Sequence, residues 1–236
     1  MQPNELPPIG ALIFILLLLA TAPGRALADE SSPSFVNLDA FANAHPDVFW
    51  RKKGAESYQQ GRYGEAMTGF RRAAGFADKP SQAMIAQMLW NGDGIPVDHV
   101  MAYVWADLAA ERGYPDFIAT RERFWLELSE DERTRAVAAG QAVFDEYADV
   151  VAKPRLERAV QRARQAMTGS RTGRAGTMDV FQIMHETGTY QRSDGAQYYA
   201  DKYWDADAYW QWQDSTWKQP PKGKVDVGPI RIPPEK

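Results

Sequence analysis

Cysteine is missing from all 236 residues. That excludes a disulfide framework, a thiolate zinc site, an iron–sulfur cluster, a thiol nucleophile and a lipidated cysteine. Histidine is nearly as scarce: His45, His99 and His185 stand far apart, so no multi-histidine metal centre is expected. An excess of either charge is missing too, with 27 Lys and Arg against 31 Asp and Glu, a net charge of −4. Such a balance gives no global attraction to nucleic acid or to an anionic membrane. No HExxH string, phosphate-cradling glycine loop or GxSxG elbow occurs. What is present is 44% hydrophobic and 25% charged residues, enough apolar material for the core of one or two globular domains.

The longest uncharged apolar run is Ile9 to Ala22, followed by Ala26-Leu27-Ala28 before Asp29. At about 1.5 Å per residue it covers roughly 21 Å, short of the ~30 Å hydrocarbon core. A short apolar run closed by a small-x-small motif predicts a signal peptide over residues 1–28, cleaved after Ala28. The segment before the run carries Glu5 and no Lys or Arg, which departs from the usual pattern and leaves an uncleaved anchor as the alternative. No later apolar run reaches the length of about eighteen residues that a spanning helix needs, so no stable membrane insertion follows cleavage. The expected compartment is the periplasm or the exterior.

Internal periodicity comes next. Ala66, Ala73 and Ala74 recur as Ala102, Ala109 and Ala110, each 36 residues on. The spacing of seven then one puts the alanines on one side of a helix, where small side chains let a neighbouring helix approach closely. Gly61 would end one helix and Tyr63 pack at the start of the next. Gly92 and Gly94 supply the positive φ that a sharp interhelical loop needs, and Asp98 can cap a helix beginning at His99. Met101, Val104, Trp105 and Leu108 form its apolar stripe, closed by Gly113. Trp50, Trp90, Trp105 and Trp125 are read as packing between helices.

These residues carry a resemblance. Residues 50–74 look like a tetratricopeptide-type helix pair. Residues 85–113 resemble the Sel-one-like repeat, through Gly92, Gly94, Asp98, Ala102, Trp105, Ala109, Ala110 and Gly113. Ala86 and Leu89 depart from the glycine and tyrosine usual there, which makes this a divergent copy. The resemblance implies an α-solenoid that binds other proteins, and no catalytic site.

Past the repeat, a helix is expected from Pro115 to about Leu128. Ser129 with Glu132 is a capping box, opening a helix with a stripe of Val137, Gly140, Phe144, Tyr147 and Val151. Pro154 can open one more, with Leu156, Val160, Ala163 and Met167 as its apolar residues. Between Lys153 and Arg174 seven basic residues face one acid, Glu157, a local charge of +6. Arg155, Arg158, Arg162, Arg171 and Arg174 are the candidate partner-binding residues, since guanidinium forks suit carboxylate and phosphate oxygens. A solvated face is the plainer reading of the same run.

From Gly169 the composition changes. Val180, Phe181, Ile183 and Met184 predict a strand, and residues 224–232 one or two more. Between them, nine of the 28 residues from Tyr190 to Trp217 are Tyr or Trp. Tyr209, Trp210, Trp212 and Trp217 could stack on a sugar ring or peptide, or could be the segment's own core or docking face.

The expected fold is therefore mainly α: a short right-handed α-solenoid of helix-turn-helix repeats with a small mixed, strand-containing C-terminal appendage. Its parts are a signal peptide (1–28), an N-terminal extension (29–48), a helical repeat domain (49–168) and an aromatic-rich module (169–236). The expected function is an exported, non-catalytic scaffold holding another envelope or secreted protein. An envelope glycan, peptidoglycan, bound through the C-terminal aromatics is the alternative; another anionic envelope polymer is a further candidate partner, for the arginine segment, and no cofactor, metal or nucleic acid is expected. Glu186 beside His185 is the best acid an enzyme could use here, and glycan hydrolysis normally needs two carboxylates.

Overall fold

Prolines in first turns and glycines after last turns set the helix boundaries in this chain. In the computed structural model, which describes residues 39–168, 180–184, 189–193 and 195–218, the protein is mainly helical. Helix α1 (Asp39–Ala44) leads into α2 (Pro46–Gln59), which has proline in its first turn and is followed by Gly61 at a φ of 72°. Next come α3 (Tyr63–Ala74), α4 (Lys79–Asn91) and α5 (His99–Ala109). Gly92 closes α4 in the left-handed region at φ 74°, and Asp98 caps α5 by accepting from the Met101 N–H at 2.9 Å. A 3-10 turn over Ala110–Arg112 ends at Gly113, before α6 (Pro115–Glu127). Helix α7 (Glu130–Tyr147) opens with the Ser129–Glu132 capping box that the sequence signals, both of its bonds made.

The helices pack in pairs, α2 with α3 and α4 with α5, and α3 also lies against α4. Helix α5 is central, with α4, α6 and α7 all against it. The six alanines repeated at 36 residues are all buried, as are Trp105, Val104 and Leu108. The approach of α3 to α2 is closest at glycine: a Cβ on Gly69 would sit 2.8 Å from the Gly54 Cα and N. Gly69→Ala should therefore destabilise the protein by about 2 kcal/mol in spite of alanine's better helix propensity, because two backbones must separate. An unchanged urea midpoint would show that the helices are not in contact there. Tryptophans fill the other junctions: Trp90 stacks on Phe124 at 3.9 Å, Trp105 meets Tyr147 at 4.8 Å, and Trp125 meets Tyr103 at 4.9 Å.

Two sequence expectations about the later helices need correction. On α7 Phe144 and Tyr147 pack on the core as expected, but the fully buried positions are Ala136 and Val143, and Val137 is 72% exposed. Ala136 lets α7 lie close on α5, which the larger Val137 would prevent. Helix α8 (Asp149–Thr168) begins five residues before Pro154 and carries that proline internally, with Val151 on α8 rather than α7. Pro154 and Val150 are both exposed, so the Val150 carbonyl, which loses its helical donor, can turn to water.

Strands β1 (Val180–Met184) and β2 (Thr189–Ser193) pair antiparallel, with Ile183 opposite Tyr190. Three short helices follow: α9 (Gly195–Tyr198), α10 (Asp201–Trp204) and α11 (Ala206–Trp217). These contain most of the aromatic stretch, and they do not stand apart. Tyr198, Tyr203, Trp204 and Tyr209 share one apolar cluster with Phe41, Val48, Leu156 and Val160. The N-terminal and C-terminal segments thus close over α8 together, and residues 39–48, read as an extension, supply part of the core. The proposed signal segment, residues 169–179 and the strands expected at 224–232 lie outside the described residues.

Candidate functional site

Helix α8 is the element around which candidate binding features gather, because its faces do different work. Leu156 and Val160, one turn apart, are buried against α1, α10 and α11. The next face, Glu157, Gln161, Arg164 and Gln165, forms the lip of a cleft of about 390 Å³. Opposite stand Trp204, Asp205, Ala206, Tyr209 and Trp210. Two bonds cross the cleft: Trp210 Nε1 donates to Glu157 Oε1 at 2.9 Å, and Arg164 donates to the Trp204 carbonyl at 3.3 Å. Asp201 lies 3.6 Å from the same guanidinium, and Asp205 caps α11 by accepting from the Ala208 N–H.

Turned by one residue, about 100° around the helix, are the arginines singled out in the sequence. Arg158 and Arg162 are exposed, and Arg162 Nε bonds the Arg158 carbonyl at 3.1 Å. Arg155 is half-buried, with donors on the carbonyls of Gly75 and Glu146, which makes it a tie between helices. Arg171 and Arg174 lie outside the described residues, as do His185 and Glu186.

The four candidate stacking aromatics are largely committed to packing. Tyr209 is 2% exposed, and its hydroxyl donates to Asp47 Oδ2 at 2.5 Å. Trp210 is half-buried, with the Arg112 and Lys153 cations 4.7 and 5.0 Å from its ring centroid. Trp212 packs on Tyr203 at 4.9 Å, and Trp217 lies 5.7 Å from Phe117 on α6. They dock the C-terminal helices onto the rest of the protein.

Sequence reasoning missed two buried polar clusters. In the first, Lys79, at the start of α4, has a side chain with 0% exposure. Its ammonium donates to Glu111 Oε2 at 2.6 Å, the Leu108 carbonyl at 3.0 Å and Gln82 Oε1 at 3.1 Å, and lies 3.1 Å from Asp149 Oδ1. Arg112 grips Asp149 with two bonds, 2.6 and 2.9 Å, and Tyr114 donates to Asp214 on α11 at 2.8 Å. Although burial opposes ionisation, the Arg112 fork and the Lys79 charge hold the Asp149 carboxyl well below the usual carboxylate range. Burial in turn pushes the Lys79 ammonium down, against the pull of Asp149.

The second cluster joins α1 and α2 to α10 and α11. His45 has Nδ1 3.0 Å from the Phe41 carbonyl and Nε2 2.7 Å from the Tyr203 carbonyl, with the Phe41 ring stacked on it at 3.8 Å. Both contacts favour the imidazolium, yet complete burial outweighs them and lowers its pKa to about 4. Asp47, two residues on, is pushed up to about 6 by burial and by the Asp78 charge. Arg51 pairs with Asp78 at 2.5 Å. The one sequence signal for this cluster is compositional: a C-terminal stretch poor in aliphatics must find its core elsewhere in the chain.

No family model matches this chain, and searches of curated proteins and of solved structures return no match.

Proposed function

We propose that this protein is an exported, non-catalytic scaffold. In this reading residues 49–168 form a short right-handed solenoid of Sel-one-like and tetratricopeptide-like helix pairs, and the strand-containing C-terminal segment closes one end. The signal-like segment over residues 1–28 supports export to the periplasm or beyond. Support for the repeat assignment comes from six alanines buried at a 36-residue offset, with left-handed glycines and an Asp98 cap at the turns.

One observation carries the binding reading: Arg158 and Arg162 stand exposed, one turn apart, on the face of α8 next to the one that lines the cleft. Their guanidinium forks suit the carboxylates of an acidic envelope or secreted protein. The glycan alternative through stacking on Tyr209, Trp210, Trp212 and Trp217 has less support, since those rings are engaged in packing. The test is a pull-down from an envelope extract at low and high salt, using the parent and the Arg158→Glu/Arg162→Glu double variant. A specific partner should be retained at low salt, lost at high salt, and recovered at least tenfold less by the double variant. Equal recovery by parent and variant would remove the arginine face from the function.

A further inference from the structure

The cleft between α8 and α11 has a chemistry of its own, independent of the scaffold reading. Its two crossing bonds spring from Glu157 and Arg164, seven residues and hence about 10 Å apart along the helix. The space between them is partly open to solvent and of about 390 Å³, near the lower end of small-ligand pockets. A volume of that size takes a ring-sized group. Trp204 directs its indole N–H away, to the Tyr198 carbonyl at 2.6 Å, so what it offers the cleft is apolar.

Charge then narrows the ligand. The lip carries two carboxylates, Glu157 and Asp205, and one guanidinium, Arg164. An anion entering would face both acids, and a cation would face Arg164. A neutral ligand avoids either repulsion. Gln161, midway between the bridges, and Gln165, one turn further, add carboxamides that donate and accept at once. Planar side chains with mixed donors and acceptors, set over Leu156, Val160 and Trp204, match a molecule with hydroxyls around its edge and C–H groups on its face. We infer that this cleft is a binding site for a neutral hydroxylated ring, a hexose or N-acetylhexosamine unit, free or at the end of a glycan. The ring's C–H face lies on the aromatic and aliphatic floor while Gln161, Gln165 and the carboxylates take its hydroxyls. This use of the aromatics differs from open stacking on exposed tryptophans: a single unit is held between two helices.

Saturation-transfer NMR and calorimetry on the purified protein test it, with glucose, galactose, N-acetylglucosamine and diacetylchitobiose as probes. At least one sugar should bind, and a monosaccharide matching the disaccharide would point to a free sugar as the ligand. Gln161→Ala/Gln165→Ala, both at exposed positions, should weaken binding at least tenfold with an unchanged melting temperature. Arg158→Glu/Arg162→Glu should leave sugar binding intact, which separates this site from the arginine face. The inference is overturned if none of the four sugars binds, if the glutamine variant binds as well as the parent, or if N-acetyl-aspartate or N-acetyl-lysine occupies the cleft instead.

Discussion

Lys79→Met should be among the most damaging single substitutions in this protein, lowering its stability by about 3–5 kcal/mol. A lysine in the first turn of a helix sits at the positive end of the dipole, and this one is also cut off from water. Both placements are unfavourable, so its retention rests on the acceptors around it. Methionine matches the stem and removes the charge. It leaves the Leu108 carbonyl without that donor and strands the Glu111 carboxylate, while Asp149 keeps Arg112 and Lys153. Glu111 also accepts from the Asp149 N–H at 3.0 Å, so it caps α8 from a distance, and the start of that helix loosens with it. Chemical denaturation reads the loss. Adding Glu111→Gln to Lys79→Met should recover part of it, since the stranded carboxylate disappears, and a cost below about 1 kcal/mol for Lys79→Met alone would sink the account. Asp149 contributes in the same direction on acidification. Its folded pKa is depressed, so its stabilisation is complete above about pH 4 and is lost as the pH falls below that.

Features visible in the sequence are those whose partners are close in the chain. Asp98 caps three residues on, Ser129 and Glu132 cap each other, and Gly92 ends the helix before it. The 36-residue alanine repeat was legible for a related reason: close helix packing demands the same small residue at each copy. On α7 Phe144 and Tyr147 are legible, whereas Val137 and Ala136 both fit a helical period and the choice between them is made by α5, not by α7's own pattern. The proline at 154 invited a helix start, yet the start is fixed by Asp149 bonded to Arg112 and Glu111, some 37 residues earlier. More remote is the cleft, whose walls come from residues 156–165 and 204–210, with no local signal that they face each other. His45 and Asp47 likewise read as part of an N-terminal extension, because their partners Tyr203 and Tyr209 are 158 and 162 residues away. Local chemistry spelled out the turns, and long-range packing decided which faces and charges were buried.

That remote cluster yields a second large effect, in pH dependence. Folded His45 resists protonation until about pH 4, whereas the unfolded residue takes a proton near its ordinary 6.5. Alone, it would remove stability as the pH falls from 6.5 to 4, by about 3 kcal/mol at 1.36 kcal/mol per unit. Asp47 acts oppositely. Its folded pKa of about 6 against an ordinary 3.8 means the folded state holds a proton the unfolded state has released, so it adds a comparable amount as the pH falls through the same window. The two nearly offset, and the parent should be almost flat between pH 6 and 4. Asp47→Asn keeps an oxygen to accept from Tyr209 and abolishes the second titration, so its stability should fall by about 3 kcal/mol from pH 7 to pH 4. Asp47 Oδ1 is buried with no hydrogen-bond partner among the described residues, and the asparagine adds a pH-independent cost there. The slope of stability against pH is therefore the quantity to compare, by denaturant titration at half-unit steps. His45→Gln should give the reverse slope, gaining stability as the pH drops from 6 to 4. Profiles of both variants parallel to the parent would mean that His45 and Asp47 titrate as they do in water, and that the junction of α1 and α2 with α10 and α11 is not the dry polar cluster described above.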